Sequence, residues 1–288
     1  MTPSTDRIVH VIIGPTGVGK TAYALDMAQR LECPIINADS RQIYRELPIG
    51  TAAPTKQEQA LVPHFFVGTK SILEDYNAGQ YEREALEVIC RYPQVILTGG
   101  SMLYIDAVCK GLDDIPTVDA AYRHKVQQLY QQGGLALLQE EVQRLDPQYW
   151  QVVDHANPQR LMHCLEICYQ TGERYSQHRK GQQTKRDFRV HKIGLTRPRE
   201  ELYQRINQRV LIMMDAGLLE EAKNAFQLVG EQIPNSLNTV GYKELHQYLQ
   251  GHCSLEQAVA MIQQNTRHYA KRQITWWRRD NEIEWIRL

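Results

Sequence analysis

Gly14-Pro15-Thr16-Gly17-Val18-Gly19-Lys20-Thr21 satisfies the pattern G-x-x-x-x-G-K-[ST]. Glycines at these spacings let a loop take positive φ and turn successive backbone N–H groups toward one anion. Lys20 adds a point charge, and the Thr21 hydroxyl is of the kind that ligates Mg²⁺ beside a bound phosphate. All eight residues are therefore candidate contacts for a phosphate or diphosphate. On the motif alone, a nucleotide such as ATP would fit. A second capable group is Asp39, in Asp39-Ser40-Arg41-Gln42. It could organise a metal, act as a general base or simply cap a turn.

The elements that must hold these groups are legible around them. Ile8–Ile13 is a β-branched apolar run ending at Gly14, the pattern of a buried parallel strand. Ala22, Leu25, Ala28 and Leu31 mark one face of a helix from Lys20. Pro34–Ala38 and Gln94–Leu97 read as further strands, the latter preceded by a helix over about 80–90. Such alternation predicts an α/β fold with a P-loop NTPase-like parallel sheet and crossover helices. At the carboxyl end of its strand, Asp39 should face the ligand crevice. Phosphoryl-transfer P-loop proteins usually end another strand in a carboxylate near the metal. Here Val95–Leu97 runs instead into Thr98-Gly99-Gly100-Ser101. The cradle thus permits either a small-molecule or nucleotide kinase, or an enzyme for which diphosphate is the leaving group.

From Thr117 to Gly172 the chain reads as helix, broken at Gly133-Gly134, Asp146-Pro147 and Asn157-Pro158. Residues 172–192 look like a loop, Val190–Leu195 like a strand rejoining the sheet, and Ile283–Ile286 like a closing edge strand. Helices are expected from Glu200, Asn238 and Ser254. The organisation expected is a core of residues 1–112 and 190–288 with a mainly helical insertion at 113–189.

The 288 residues are 42% hydrophobic, enough for a substantial core, and carry 33 basic and 33 acidic side chains. That balance excludes polycation behaviour of the whole molecule but not a local basic surface. No apolar stretch approaches the ~18 residues of a membrane span, and the N-terminus lacks a secretory pattern. Six scattered cysteines without a C-x-x-C pair suit reduced core thiols in a cytoplasmic protein. Cys164 and Cys168, beside His163, could hold a metal but better suit one face of a buried helix. Basic residues crowd two intervals. One runs Arg174, Arg179, Lys180, Lys185, Arg186, Arg189, Lys192, Arg197, Arg199; the other runs Arg267, Lys271, Arg272, Arg278, Arg279. Tyr175, Phe188, Tyr269, Trp276 and Trp277 interleave them, a footprint for looped or single-stranded RNA. A non-catalytic RNA-binding P-loop protein would share it.

Over nearly its full length the chain resembles the tRNA dimethylallyltransferases (tRNA isopentenyltransferases). The matching stretches are Gly14–Thr21, Asp39–Tyr44 (DSRQIY), Ile49–Thr55 (IGTAAPT), Gly99–Tyr104 (GGSMLY), Asn157–Leu161 (NPQRL), Leu202–Arg209 (LYQRINQR), Val240–Glu244 (VGYKE) and Thr266–Trp277 (TRHYAKRQITWW). Phe65 and Phe66 depart from the family's common pattern after His64, and Ser101 stands where Thr is common. The resemblance implies transfer of a dimethylallyl group from dimethylallyl diphosphate to N6 of adenosine 37 of tRNA. It implies Asp39 as base, Lys20, Thr21 with Mg²⁺, and Arg205 as catalytic groups, and Arg209 as a further diphosphate contact. It assigns RNA contacts to Asp39, Ser40, Arg41, Gln42, Ser101, Arg123 and Gln159-Arg160-Leu161-Met162-His163, with Lys271 and Arg272 meeting phosphates. His163 reads as packed rather than catalytic. The expected partner is the anticodon stem-loop, with the target base flipped out of its stack, and the expected state is a monomer.

Overall fold

In a computed structural model the chain is described over residues 7–181 and 184–288. It divides into two compact units, Met1–Lys110 with Lys185–Leu288, and Gly111–Thr184.

The first unit opens with β1 (Ile8–Ile13), α1 (Lys20–Arg30), β2 (Ile35–Asn37), α2 (Lys56–Leu61), β3 (His64–Phe65), α3 (Ala78–Ile89), β4 (Gln94–Thr98) and α4 (Met102–Lys110). The second contains α5 (Ala120–Leu145), α6 (Pro147–Trp150), α7 (Pro158–Thr171) and α8 (Tyr175–His178). The chain then returns through β5 (Arg189–Thr196), α9 (Arg199–Asp215), α10 (Leu218–Val229), α11 (Tyr242–Leu249), α12 (Leu255–Trp277) and β6 (Glu284–Arg287).

The sheet is parallel with strand order β3-β2-β4-β1-β5-β6. Alternate side chains feed two cores. Val9, Val11, Ile36, Val95 and Leu97 join one, and Ile12, Ile35, Ile96, Ile193 and Leu195 the other. Both faces are covered, as a parallel sheet requires. The order places β1 between β4 and β5, so the chain reverses its direction of winding beside β1. The carboxyl ends of β1, β2 and β4 therefore meet at the crevice where α/β sheets bind ligands.

In the second unit, Asn157 Oδ1 accepts the Arg160 N–H at the start of α7, and Gly172 ends that helix at φ 73°. The double glycine expected to break the helical stretch does so at Gly134, a kink inside α5. Cys164, Cys168 and Asp146 are buried together, within a radius suited to a metal. Asp146, however, accepts the Tyr149 N–H on Oδ1, the Ser176 hydroxyl on Oδ1 and the Ser176 N–H on Oδ2. His163 lies instead 3.4 Å from Glu166. The two cysteines form the buried helix face of the simpler reading.

Five expectations change. Residues 172–192, expected as a loop, contain the short helix α8 and the start of β5. Helix α11 begins at Tyr242 rather than Asn238, because Pro234 and Gly241 leave only a 3₁₀ turn, Asn235–Leu237, before it. Cys90 is exposed rather than a core thiol, while Cys33 and Cys109 are pushed up to about 11 and about 12 by burial. Three members of the basic strip turn inward: Arg186 pairs with Glu82, Lys192 with Asp280 and Glu282, and Arg197 with Glu201. Trp277 is buried, so it offers no stacking surface.

Candidate active site

Three turns converge at the carboxyl edge of the sheet. The first is the glycine loop between β1 and α1. Gly19 caps α1 at φ 114°, a conformation that a side chain would strain. The helix that follows points its N-terminal dipole at the loop. Lys20 Nζ donates to Gly14 O at 2.9 Å and Pro15 O at 3.1 Å. Burial, with Arg209 nearby, pulls the ammonium down to about 8, and Asp39 acts in the opposite sense.

Two arginines from α9 reach this loop. Arg205 Nε donates to Gly17 O at 2.9 Å from an exposed position. Arg209 lies deeper: its Nη2 donates to Thr16 Oγ1 at 2.6 Å. Its Nε is buried with no partner among the described residues. Burial lowers the Arg209 pKa, Asp39 raises it and Arg205 lowers it. Lys20 and Arg209, both half-buried and lining one cavity, concentrate positive charge of the kind that favours an anion.

The second turn follows β2. Asp39 Oδ1 accepts the Arg41 N–H at 2.9 Å and the Gln42 N–H at 3.4 Å. Its Oδ2 accepts no hydrogen bond among the described residues. The carboxylate is thereby oriented by one oxygen while the other stays unpaired among the described residues. The third turn follows β4. Gly99 packs so closely that a Cβ there would sit 2.1 Å from the Ala38 carbonyl carbon, which explains a glycine at this position. Ser101 Oγ accepts the Ser40 N–H at 2.8 Å and donates to Ser40 Oγ at 2.9 Å, tying this turn to the second.

Two cavities open here. One, of about 730 Å³, is lined by Thr16, Gly17, Gly19, Lys20, Thr21, Asp39, Gln42, Arg205 and Arg209. The other, of about 320 Å³, is lined by Ser40, Arg41, Ser101, Val240, Lys243 and Arg272. Thr16, Asp39, Thr51, Arg209 and Tyr269 line both. The Asp39 carboxylate and the Arg209 guanidinium thus stand where the two cavities meet.

Of the remaining expected residues, Gln42 uses its amide to donate to Thr51 O and Ala52 O, both at 3.0 Å, and so braces the loop after Ile49. Lys271 and Arg272 are exposed on α12, and Arg272 lies over the Tyr269 ring. Arg123, Gln159, Arg160, Leu161, Met162 and His163 belong to the second unit. There Arg123, Gln159 and Arg160 are exposed, Met162 and His163 half-buried, and Leu161 is fully inside the unit's own core.

Sequence reasoning missed several groups that shape the site. Glu221 accepts the Ile49 and Gly50 N–H groups at 2.7 and 2.8 Å and the Tyr242 hydroxyl, holding one wall of the cleft. Gln273 and Tyr269 bind the third turn. In the TRHYAKRQ stretch the sequence points to the basic residues and to Tyr269 as a stacking surface for RNA, but not to Gln273.

The sequence pattern of the IPP transferase family matches residues 42–280. A tRNA dimethylallyltransferase 1 of Bacteroides thetaiotaomicron is 52% identical over 280 residues, spanning 96% of this chain and 90% of that protein. A tRNA dimethylallyltransferase of Christiangramia forsetii is 42% identical over 279 residues, spanning 96% and 91%. The crystal structure of the full-length tRNA isopentenylpyrophosphate transferase of Bacillus halodurans is similar with a TM-score of 0.69 at 34% identity, over 98% of this chain and 90% of that one. A eukaryotic dimethylallyltransferase acting on tRNA gives a TM-score of 0.78 at 25% identity, over 98% and 74%. With its glycine loop, its free carboxylate and relatives matched along almost the whole sequence, the chain belongs to the IPP transferase family.

Proposed function

We propose that the chain transfers a dimethylallyl group from dimethylallyl diphosphate to N6 of adenosine 37 in tRNA, releasing diphosphate. The observation that carries this reading is the placement of Asp39 and Arg209 at the junction of two cavities, with Lys20 in the larger one and glycines rather than a carboxylate closing β4. A diphosphate in the larger cavity meets the loop N–H groups, Lys20 and Arg209, with Arg205 at the rim. A flipped adenine in the smaller cavity brings its amino group to Asp39 Oδ2.

The amino nitrogen attacks C1 of the allyl group. The C1–O bond breaks, and its electron pair leaves with the diphosphate. The proton lost from N6 passes to Asp39, which matters because the adenine amino lone pair is delocalised and weakly nucleophilic. Negative charge grows on the departing oxygen, where Lys20 and Arg209 already stand in a largely desolvated site.

The donor set also fits Mg²⁺. Thr21 supplies a hydroxyl oxygen in the same cleft, and the cation commonly completes its shell with substrate phosphate and water. When bound, the ion would neutralise charge on the diphosphate.

In this reading Ser40, Arg41, Ser101, Lys271 and Arg272 receive the RNA around the reacting adenosine. The helical unit, through Arg123 and the exposed start of α7, grips the anticodon stem-loop. The protein works as a monomer in the cytoplasm, one chain lining both cavities. Among the described residues, no helix is long and apolar enough to cross a membrane. The test is incubation with dimethylallyl diphosphate and an anticodon stem-loop bearing the target adenosine, then nucleoside analysis. N6-dimethylallyladenosine should form only with that RNA and not with a control in which the adenosine is replaced.

A further inference from the structure

Gln273, on α12, is 1% exposed. Its Oε1 accepts the Thr16 N–H at 2.8 Å and its Nε2 donates to Gly100 O at 2.9 Å. One helical turn earlier, Tyr269 donates its hydroxyl to the same carbonyl at 2.6 Å. The amide has one allowed orientation, since the reverse would oppose N–H to N–H and oxygen to carbonyl.

Both partners belong to the reacting apparatus. Thr16 sits in the loop that carries Lys20, and its hydroxyl holds Arg209. Gly100 is the floor beneath the base: a Cβ built there would lie 2.6 Å from Asp39 Oδ2. One buried amide therefore spans the phosphate turn and the turn on which the carboxylate rests. Burying an amide is unfavourable unless both its ends are paired, and here both are.

We propose that Gln273 is a positioning residue for prenyl transfer. It fixes the separation between the diphosphate loop and the Asp39 oxygen that takes the N6 proton. The inference rests on the reading of the cleft given above. It acts on geometry alone, because Gln273 lines neither cavity.

The experiment compares Gln273→Met and Gln273→Glu with the unaltered chain, using labelled dimethylallyl diphosphate and the stem-loop. The Met variant keeps the shape and loses both bonds. Misplacement of reacting groups by about 1 Å can cost about 100-fold, so kcat should fall at least about 10-fold while donor and RNA Kd stay within about threefold. The Glu variant is more telling. Protonated, its carboxyl reproduces the amide, accepting from Thr16 N–H and donating to Gly100 O; ionised, it opposes the Gly100 carbonyl and Asp39. Its rate relative to the unaltered chain should rise as pH falls from about 8 to about 6, where a buried carboxyl titrates. Ser236→Ala, which removes a buried hydroxyl bonded to Ile72 O away from the cleft, is the structural control and should keep a flat ratio. A Met variant with full kcat, or a Glu variant whose ratio does not change with pH, overturns the proposal. If the Met variant does not fold, the Glu ratio decides. If the unaltered chain transfers no label at all, the reading of the cleft fails first; if it transfers label and the variants match it, this inference alone falls.

Discussion

Asp39 and Asp146 sit at similar places in their units, each beginning a turn and accepting a backbone N–H two or three residues ahead. Their surroundings set them apart. Asp146, fully buried in the helical unit, has both oxygens engaged by Tyr149 and Ser176. Asp39 has one oxygen engaged and the other without a hydrogen-bond partner among the described residues, and it lines two cavities together with Arg209. A carboxylate saturated by its own fold serves stability. One that is half-saturated and oriented is available to a substrate.

The largest test of that contrast is Asp39→Asn. Loss of a general base should lower kcat by about 10²- to 10⁴-fold while donor and RNA affinity, read by titration, stay near those of the unaltered chain. Asp146→Ala should do the reverse. Leaving the Tyr149 and Ser176 groups unpaired should destabilise the protein by about 3 kcal/mol in denaturant unfolding, with kcat of the folded fraction retained. Next in size is a pH effect. Lys20, held at about 8, loses its charge as pH rises through that value. Donor Kd should therefore be level below about 8 and weaken by up to about tenfold per pH unit above it. Lys20→Ala should abolish that slope. Smallest are the exposed cations: replacing Lys271 or Arg272 by Ala should each reduce the salt dependence of RNA binding by about one released counterion, without changing donor affinity.

The glycine loop, Asp39 and the main strands were legible because each is a local pattern: a spacing, an apolar run, a turn. The kink at Gly134 and the start of α7 at Asn157-Pro158 were legible for the same reason. What escaped depends on distant partners. Gln273 meets Thr16 from 257 positions away and Gly100 from 173. Arg186 and Lys192 looked like part of an RNA-facing strip, yet Glu82 and Asp280 draw them inward. Strand β3 has two residues, too few for alternation to register. Charge and periodicity reveal what a residue can do, whereas its partners across the fold decide what it does.

The central claim is that the glycine loop grips a departing diphosphate and not a triphosphate under cleavage. The most direct measurement presents γ-labelled ATP and carbon-labelled dimethylallyl diphosphate together, with the anticodon stem-loop, and follows both labels. The account predicts carbon label in the RNA, matched one for one by released diphosphate, and unchanged without ATP. Phosphate label moving to an acceptor while the prenyl donor stays intact would contradict it.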